Sequence, residues 1–127
     1  MQREIIATVN APAAIGPYSQ AVKVNGFVFT AGQIPLVPET GKLVEGDITA
    51  QTNQVMRNLQ VVLTAAGSGL ENVIKTTVFL QDMNHFTAFN QEYARHIIDN
   101  HPARSTVEVA RLPFGALVEI EAIALLP

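Results

Sequence analysis

The chain has 127 residues, a net charge of −3 from eight basic and eleven acidic side chains, and no cysteine. Disulfides, thiolate metal sites and thiol nucleophiles are therefore excluded together, and the charge balance offers no basic patch for nucleic acid. Hydrophobic residues make up 48% and charged ones only 15%, so either the core is large for the chain or apolar surface is buried against a partner.

This length predicts one domain over 1–127. The first residues lead into neither a signal-peptide core nor a spanning segment, which makes a cytoplasmic protein the expectation. Residues 3–9 alternate weakly and predict a strand. Asn10-Ala11-Pro12-Ala13-Ala14-Ile15-Gly16-Pro17-Tyr18-Ser19-Gln20 holds two prolines and a glycine and reads as loop. Residues 21–24 and 27–33 flank Asn25-Gly26, a strong hairpin signal. Pro35, Pro38 and Gly41 mark a long connection. Asp47 then suits an N-cap, and Ile48, Thr52, Val55, Leu59, Val62 and Ala66 follow at helical spacing up to the stop at Gly67.

Residues 73–80 are β-branched and apolar and predict a strand parallel to the one before the helix. A second helix is expected over 86–98, with Phe86, Phe89, Tyr93 and Ile97 on one face. His101-Pro102 ends that segment. Two strands close the chain, over 104–110 and 117–125, joined by a loop with Pro113 and Gly115. The fold class is α+β: a mixed sheet of about six strands with two helices packed on one face.

Alternation places Val107, Val109, Val118, Ile120, Ala122 and Ala124 toward the helices. Arg104, Thr106 and Glu108 then share the opposite face with Leu117, Glu119, Glu121, Ile123, Lys75, Thr77 and Phe79. A face that mixes charge with large apolar groups is expected to be covered by other copies of the chain, in a closed ring with pockets between subunits.

Arg104 is the sharpest candidate, because a guanidinium in a cleft grips a carboxylate bidentately. An ion pair with Glu108, Glu119 or Glu121 is the plainer reading. Glu119 and Glu121 could do acid–base work or serve as partners for Arg104 and Lys75. As neighbours on one strand they do not make the opposed pair of a retaining glycosidase. His85, His96 and His101 lack metal-site spacing. Gly67-Ser68-Gly69 follows a helix and is no phosphate loop. Ser19, Ser68 and Ser105 lack a nucleophile-elbow context. Nothing points to a nucleotide, metal or flavin.

Taken together, the loop 11–20, the stretch Thr30-Ala31-Gly32-Gln33-Ile34-Pro35, the stretch Pro102-Ala103-Arg104-Ser105-Thr106-Val107-Glu108-Val109-Ala110-Arg111-Leu112-Pro113, and Glu119-Ile120-Glu121-Ala122-Ile123-Ala124 closely resemble the RidA (YjgF) family. The resemblance runs from about residue 5 to 125, with the elements in order. It implies a chorismate-mutase-like fold, a homotrimer with ligand clefts between subunits, and no cofactor. The implied activity is hydrolysis of reactive 2-imino acids, tautomers of enamines such as 2-aminoacrylate and 2-aminocrotonate released by pyridoxal-phosphate dehydratases, to 2-oxo acids and ammonia. By matching position, Arg104 is the carboxylate-binding arginine and Glu119 the glutamate that positions or activates water. Tyr18, Gly32 and Asn90 match residues that line the cleft in that family. Thr106 stands where many members have cysteine, and Ala31 where some have serine. The alternative is a non-catalytic trimer that senses a small carboxylate and regulates another protein. RNA cleavage or translation inhibition, attached to some relatives, is a third reading that the acidic balance disfavours.

Overall fold

The structure is a computed structural model describing residues 2–127; Met1, the first residue of the expected domain, lies outside them. β1 (Glu4–Ile6) runs antiparallel to β2 (Ala21–Val24), and β2 turns into β3 (Phe27–Thr30). The turn is Asn25-Gly26, with φ of 55° and 84°, the left-handed pair that a two-residue hairpin needs. β1 is shorter than the expected 3–9 because the Gln20 side chain takes over the backbone of Thr8. Its Oε1 accepts from Thr8 N at 2.6 Å, and its Nε2 donates to the carbonyls of Thr8 and Pro12.

The connection after β3 contains a small hairpin that periodicity did not reveal, β4 (Leu36–Val37) with β5 (Lys42–Leu43). α1 (Ile48–Ala65) follows, with the Asp47 carboxylate accepting from Ala50 N at 3.1 Å. Its far end closes on Gly67 (φ 87°). Gly67 N donates to Thr64 O and Ser68 N to Leu63 O, the paired bonds that satisfy the last carbonyls of a helix. All six apolar-stripe positions expected on α1 are buried. A second, polar stripe is buried beside them: Gln51 accepts from Leu117 N, and Asn58 donates to the carbonyls of Ile34 and Leu36. It ties two loops to the helix.

β6 (Val73–Leu80), α2 (Phe86–His96), β7 (Ala103–Glu108) and β8 (Val118–Leu125) complete the chain. The main sheet runs β1-β2-β3-β8-β6-β7, with α2 crossing over between the parallel neighbours β6 and β7. β6 is parallel to β3, as expected, but β8 lies between them, antiparallel to both. Both helices cover one face, over a core built on Val28, Val55, Leu59, Leu63, Val78, Phe89, Val118 and Ile120.

One expectation is overturned. In the β6–β7 register, Arg104 lies beside Thr76 and Thr106 beside Val78, and both partners are buried under the helices. Arg104 and Thr106 therefore face the helices, and Val107, beside Phe79, faces the uncovered side, where it is 45% exposed. β7 is an edge strand, so the side that looks apolar in sequence need not be the side that meets this chain's own core. The uncovered face carries Ile5, Phe29, Val107 and Leu125, all exposed, beside Glu119, Glu121 and Lys75.

Leu59→Ala is expected to cost about 2–5 kcal/mol of stability by opening a cavity in this core. Asp47→Ala is expected to cost about 1 kcal/mol through the lost cap. Urea unfolding of the two variants checks both the order and the sizes.

Candidate active site

The pleat of β6 divides the candidate residues into two groups. The first surrounds Arg104. Its guanidinium carbon lies 4.9 Å from the ring centre of Tyr93, 5.4 Å from Phe89 and 5.7 Å from Phe86, all within cation–π range. Asn90, Tyr93, Ala94, His101, Pro102 and Arg104 line an open groove of about 460 Å³. Among the described residues Arg104 makes no ion pair, and the pairs there are Lys23–Glu4, Arg95–Glu92 and His96–Glu92. Within one chain, the ion pair of the plainer reading is not formed. Glu119 and Glu121 point out of the other face, while Glu108 accepts from Met83 N at 2.7 Å and holds the turn before α2. Thr106, on the same face as Arg104, has a buried hydroxyl without a hydrogen-bond partner.

The second group surrounds Glu119. Between the pairs Phe29–Ile123 and Gln33–Ile120, β3 and its continuation carry one residue more than β8, which is a β-bulge at Ala31-Gly32. There Ala122 N donates to the Thr30 hydroxyl at 3.0 Å, and the Glu119 side chain lies against Gly32. A Cβ on Gly32 would overlap the Glu119 carboxylate, with Cδ only 2.8 Å away. Glycine is required here for space rather than for φ. Tyr18 borders the same region, lining a small cleft with Gly32, Gln33 and Ile34; its hydroxyl accepts from Ile15 N at 3.2 Å. Burial first, and the neighbouring Glu121 carboxylate second, push the Glu119 carboxyl above its ordinary 4.5.

Arg104, Asn90 and Thr106 therefore gather on one side, and Glu119, Gly32, Ala31 and Tyr18 on the other. Arg104 is level with Thr76 and Glu119 with Phe79, two strands apart. By strand geometry their backbones stand about 10 Å apart along the sheet and about 10 Å across it, with side chains on opposite faces. One chain does not bring the two groups together. Among residues that sequence reasoning missed, Gln20 fastens the loop carrying Tyr18, and His101 lines the Arg104 groove. His96 instead bonds Glu92 at 2.9 Å, and no cluster among the described residues could hold a metal ion. Among the described residues, no helix is long and apolar enough to cross a membrane.

The mixed sheet with two helices on one face belongs to a known class of fold. The family model described as Endoribonuclease L-PSP matches residues 8–126. A RutC family protein of Pyrococcus horikoshii is 55% identical over 122 residues, 96% of this chain and 97% of its own. The 2-iminobutanoate/2-iminopropanoate deaminase of Mus musculus is 48% identical over 122 residues, 96% of this chain and 90% of its own. Among solved structures, E. coli TdcF with bound serine superposes with a TM-score of 0.92 at 42% identity, covering 96% of this chain and 98% of its own. The chain belongs to the Endoribonuclease L-PSP family, the YjgF/RidA group, and has its α+β, chorismate-mutase-like fold.

The Glu119 carboxyl, followed by carbon NMR, is expected to titrate above 4.5, with Glu121→Gln bringing it part of the way back. The folded chain holds this proton more tightly than the unfolded one. Stability therefore falls as pH rises from 4.5 through the folded value, and Glu119→Gln removes that decline. Titration at or below 4.5 contradicts the assignment.

Proposed function

We propose that the protein hydrolyses reactive 2-imino acids to 2-oxo acids and ammonia, in a site completed by two copies of the chain. The observation that carries this reading is Arg104: a guanidinium with no carboxylate of its own, facing an open groove. Its N–H groups are free for a substrate carboxylate, and the planar fork suits two parallel hydrogen bonds. Support comes from relatives named deaminases at this level of identity, and from TdcF, solved with serine, a molecule bearing an α-carboxylate.

The chemistry follows from the two groups. Arg104 holds the carboxylate and so fixes the adjacent imine carbon, converting a solvent encounter into a positioned attack. Water adds to that carbon as Glu119 accepts its proton. Glu119, whose raised carboxyl suits proton exchange nearer neutrality, returns the proton to nitrogen. The tetrahedral adduct then expels ammonia and leaves the 2-oxo acid. The imine reacts in its protonated form, so its nitrogen already carries two hydrogens and the proton returned by Glu119 is the third. The hydroxyl of the adduct gives its proton to Glu119 as the C–N bond breaks, and water supplies the oxygen, so no cofactor enters the balance. Asn90 borders the carboxylate end; Tyr18 and the backbone at Gly32 border the water end. Thr106, in place of the commoner cysteine, removes any thiol step.

Two copies are needed because a single pleated sheet keeps Arg104 and Glu119 apart. The uncovered face, with Phe29, Val107 and Leu125 exposed, supplies the apolar surface for a homotrimer. A cytoplasmic location fits substrates released by soluble dehydratases. Ribonuclease action, which the family description mentions, is disfavoured by the net charge of −3.

In an assay where a dehydratase makes 2-aminoacrylate or 2-aminocrotonate from serine or threonine, the protein is expected to speed oxo-acid release and Arg104→Ala to abolish the gain. Equal rates with the two proteins defeat the mechanism. Binding of 2-oxo acids without acceleration favours the regulatory trimer. Sedimentation velocity is expected to show a trimer, and a monomer at micromolar concentration contradicts the shared site.

A further inference from the structure

An arginine tethered by four rotatable bonds loses much side-chain freedom when a ligand fixes it, and that loss weakens binding unless the side chain is ordered beforehand. Arg104 is ordered by rings rather than by charge. Phe86, Phe89 and Tyr93 stand at i, i+3 and i+7 on α2, one stripe of the helix, and all three lie within 5.7 Å of the guanidinium carbon. An aromatic face attracts the cation but uses none of its hydrogen-bond donors. A carboxylate in the same place would compete with the ligand for those donors. The nearest ring is itself held: the hydroxyls of Tyr93 and Thr76 are 2.9 Å apart and buried. Thr76 is also the register neighbour of Arg104 across β6 and β7. The three residues form a closed unit of strand neighbour, helix ring and guanidinium.

We propose that Tyr93, braced by Thr76 and joined by Phe86 at the open end, is a positioning residue that pre-orders Arg104 for a carboxylate ligand. The inference rests on the carboxylate role of Arg104 given above. It names a part of the site that lies outside the reacting groups. It also accounts for arginine rather than lysine on β7, since an ammonium would gain less from a stripe of three flat rings.

The test uses the assembled protein and 2-oxobutanoate as probe, with affinities from calorimetry and KM and kcat from the coupled assay. Tyr93→Leu is expected to weaken binding about thirtyfold, the scale of one desolvated cation–π contact. Tyr93→Phe, which keeps the ring, recovers most of that loss. Phe86→Leu, at a solvent-facing position, weakens binding by about threefold, the scale of an exposed contact. KM rises more than kcat falls. In an Arg104→Ala background, Tyr93→Leu has no further effect, because its contribution passes through the arginine. Equal losses with and without Arg104 overturn the positioning role and leave the carboxylate reading intact. Binding unchanged by Arg104→Ala overturns both. If Tyr93→Leu does not fold, Phe86→Leu decides alone: no loss of affinity in the folded variant overturns the proposal.

Discussion

The alternation of side chains along β6 is the constraint on which the molecule depends. Thr76 points under the helices and Phe79 out of the opposite face. Through the ladders on either side they carry Arg104 and Glu119 with them. A strand cannot turn its neighbours to the same side without a slip that would invert a whole buried set. The charged groups of the candidate site are thereby held apart within one chain. The exposed apolar face beside Glu119 is the surface on which the proposed second copy would close the distance.

Each group is held in its own way. The Glu119 side chain occupies space left by a bulge and by the missing Cβ of Gly32, and burial there raises its proton affinity. The Tyr18 loop is pinned by the Gln20 amide. Arg104 is held by aromatic rings on α2, which leave its charge unneutralised. None of these supports needs a metal or a thiol. The Gln51 and Asn58 amides lock the loops around residues 34–36 and 117 to α1, so the bulge sits on a braced strand.

Much of the fold was legible because local signals and tertiary structure agree. Asn25-Gly26 makes the expected turn, and the α1 stripe from Ile48 to Ala66 is buried throughout. The phase of β7 was not legible. Val107 and Val109 resemble a core-facing set, but on an edge strand the apolar side can be the one left for a partner. That inversion also hid the aromatic setting of Arg104, since only the register shows that it lies under α2. Gln51 and Asn58 lie outside the stripe that helical spacing picks out, and they are held by loops distant in sequence. The β-bulge at Ala31-Gly32 follows from a ladder between β3 and β8, nearly ninety residues apart in the chain, and no local pattern encodes it.

The claim that most needs testing is the shared site, and mixing two inactive variants tests it. Arg104→Ala and Glu119→Gln each spoil every site in a pure assembly. Mixed assemblies, formed by refolding the two together and verified by native mass spectrometry, contain boundaries where an intact Arg104 meets an intact Glu119 from a neighbour. Recovery of imine hydrolysis in the mixture, absent from either variant alone, is the expected result. No recovery in verified mixed assemblies would mean that both residues act from one chain, and would contradict the two-copy site.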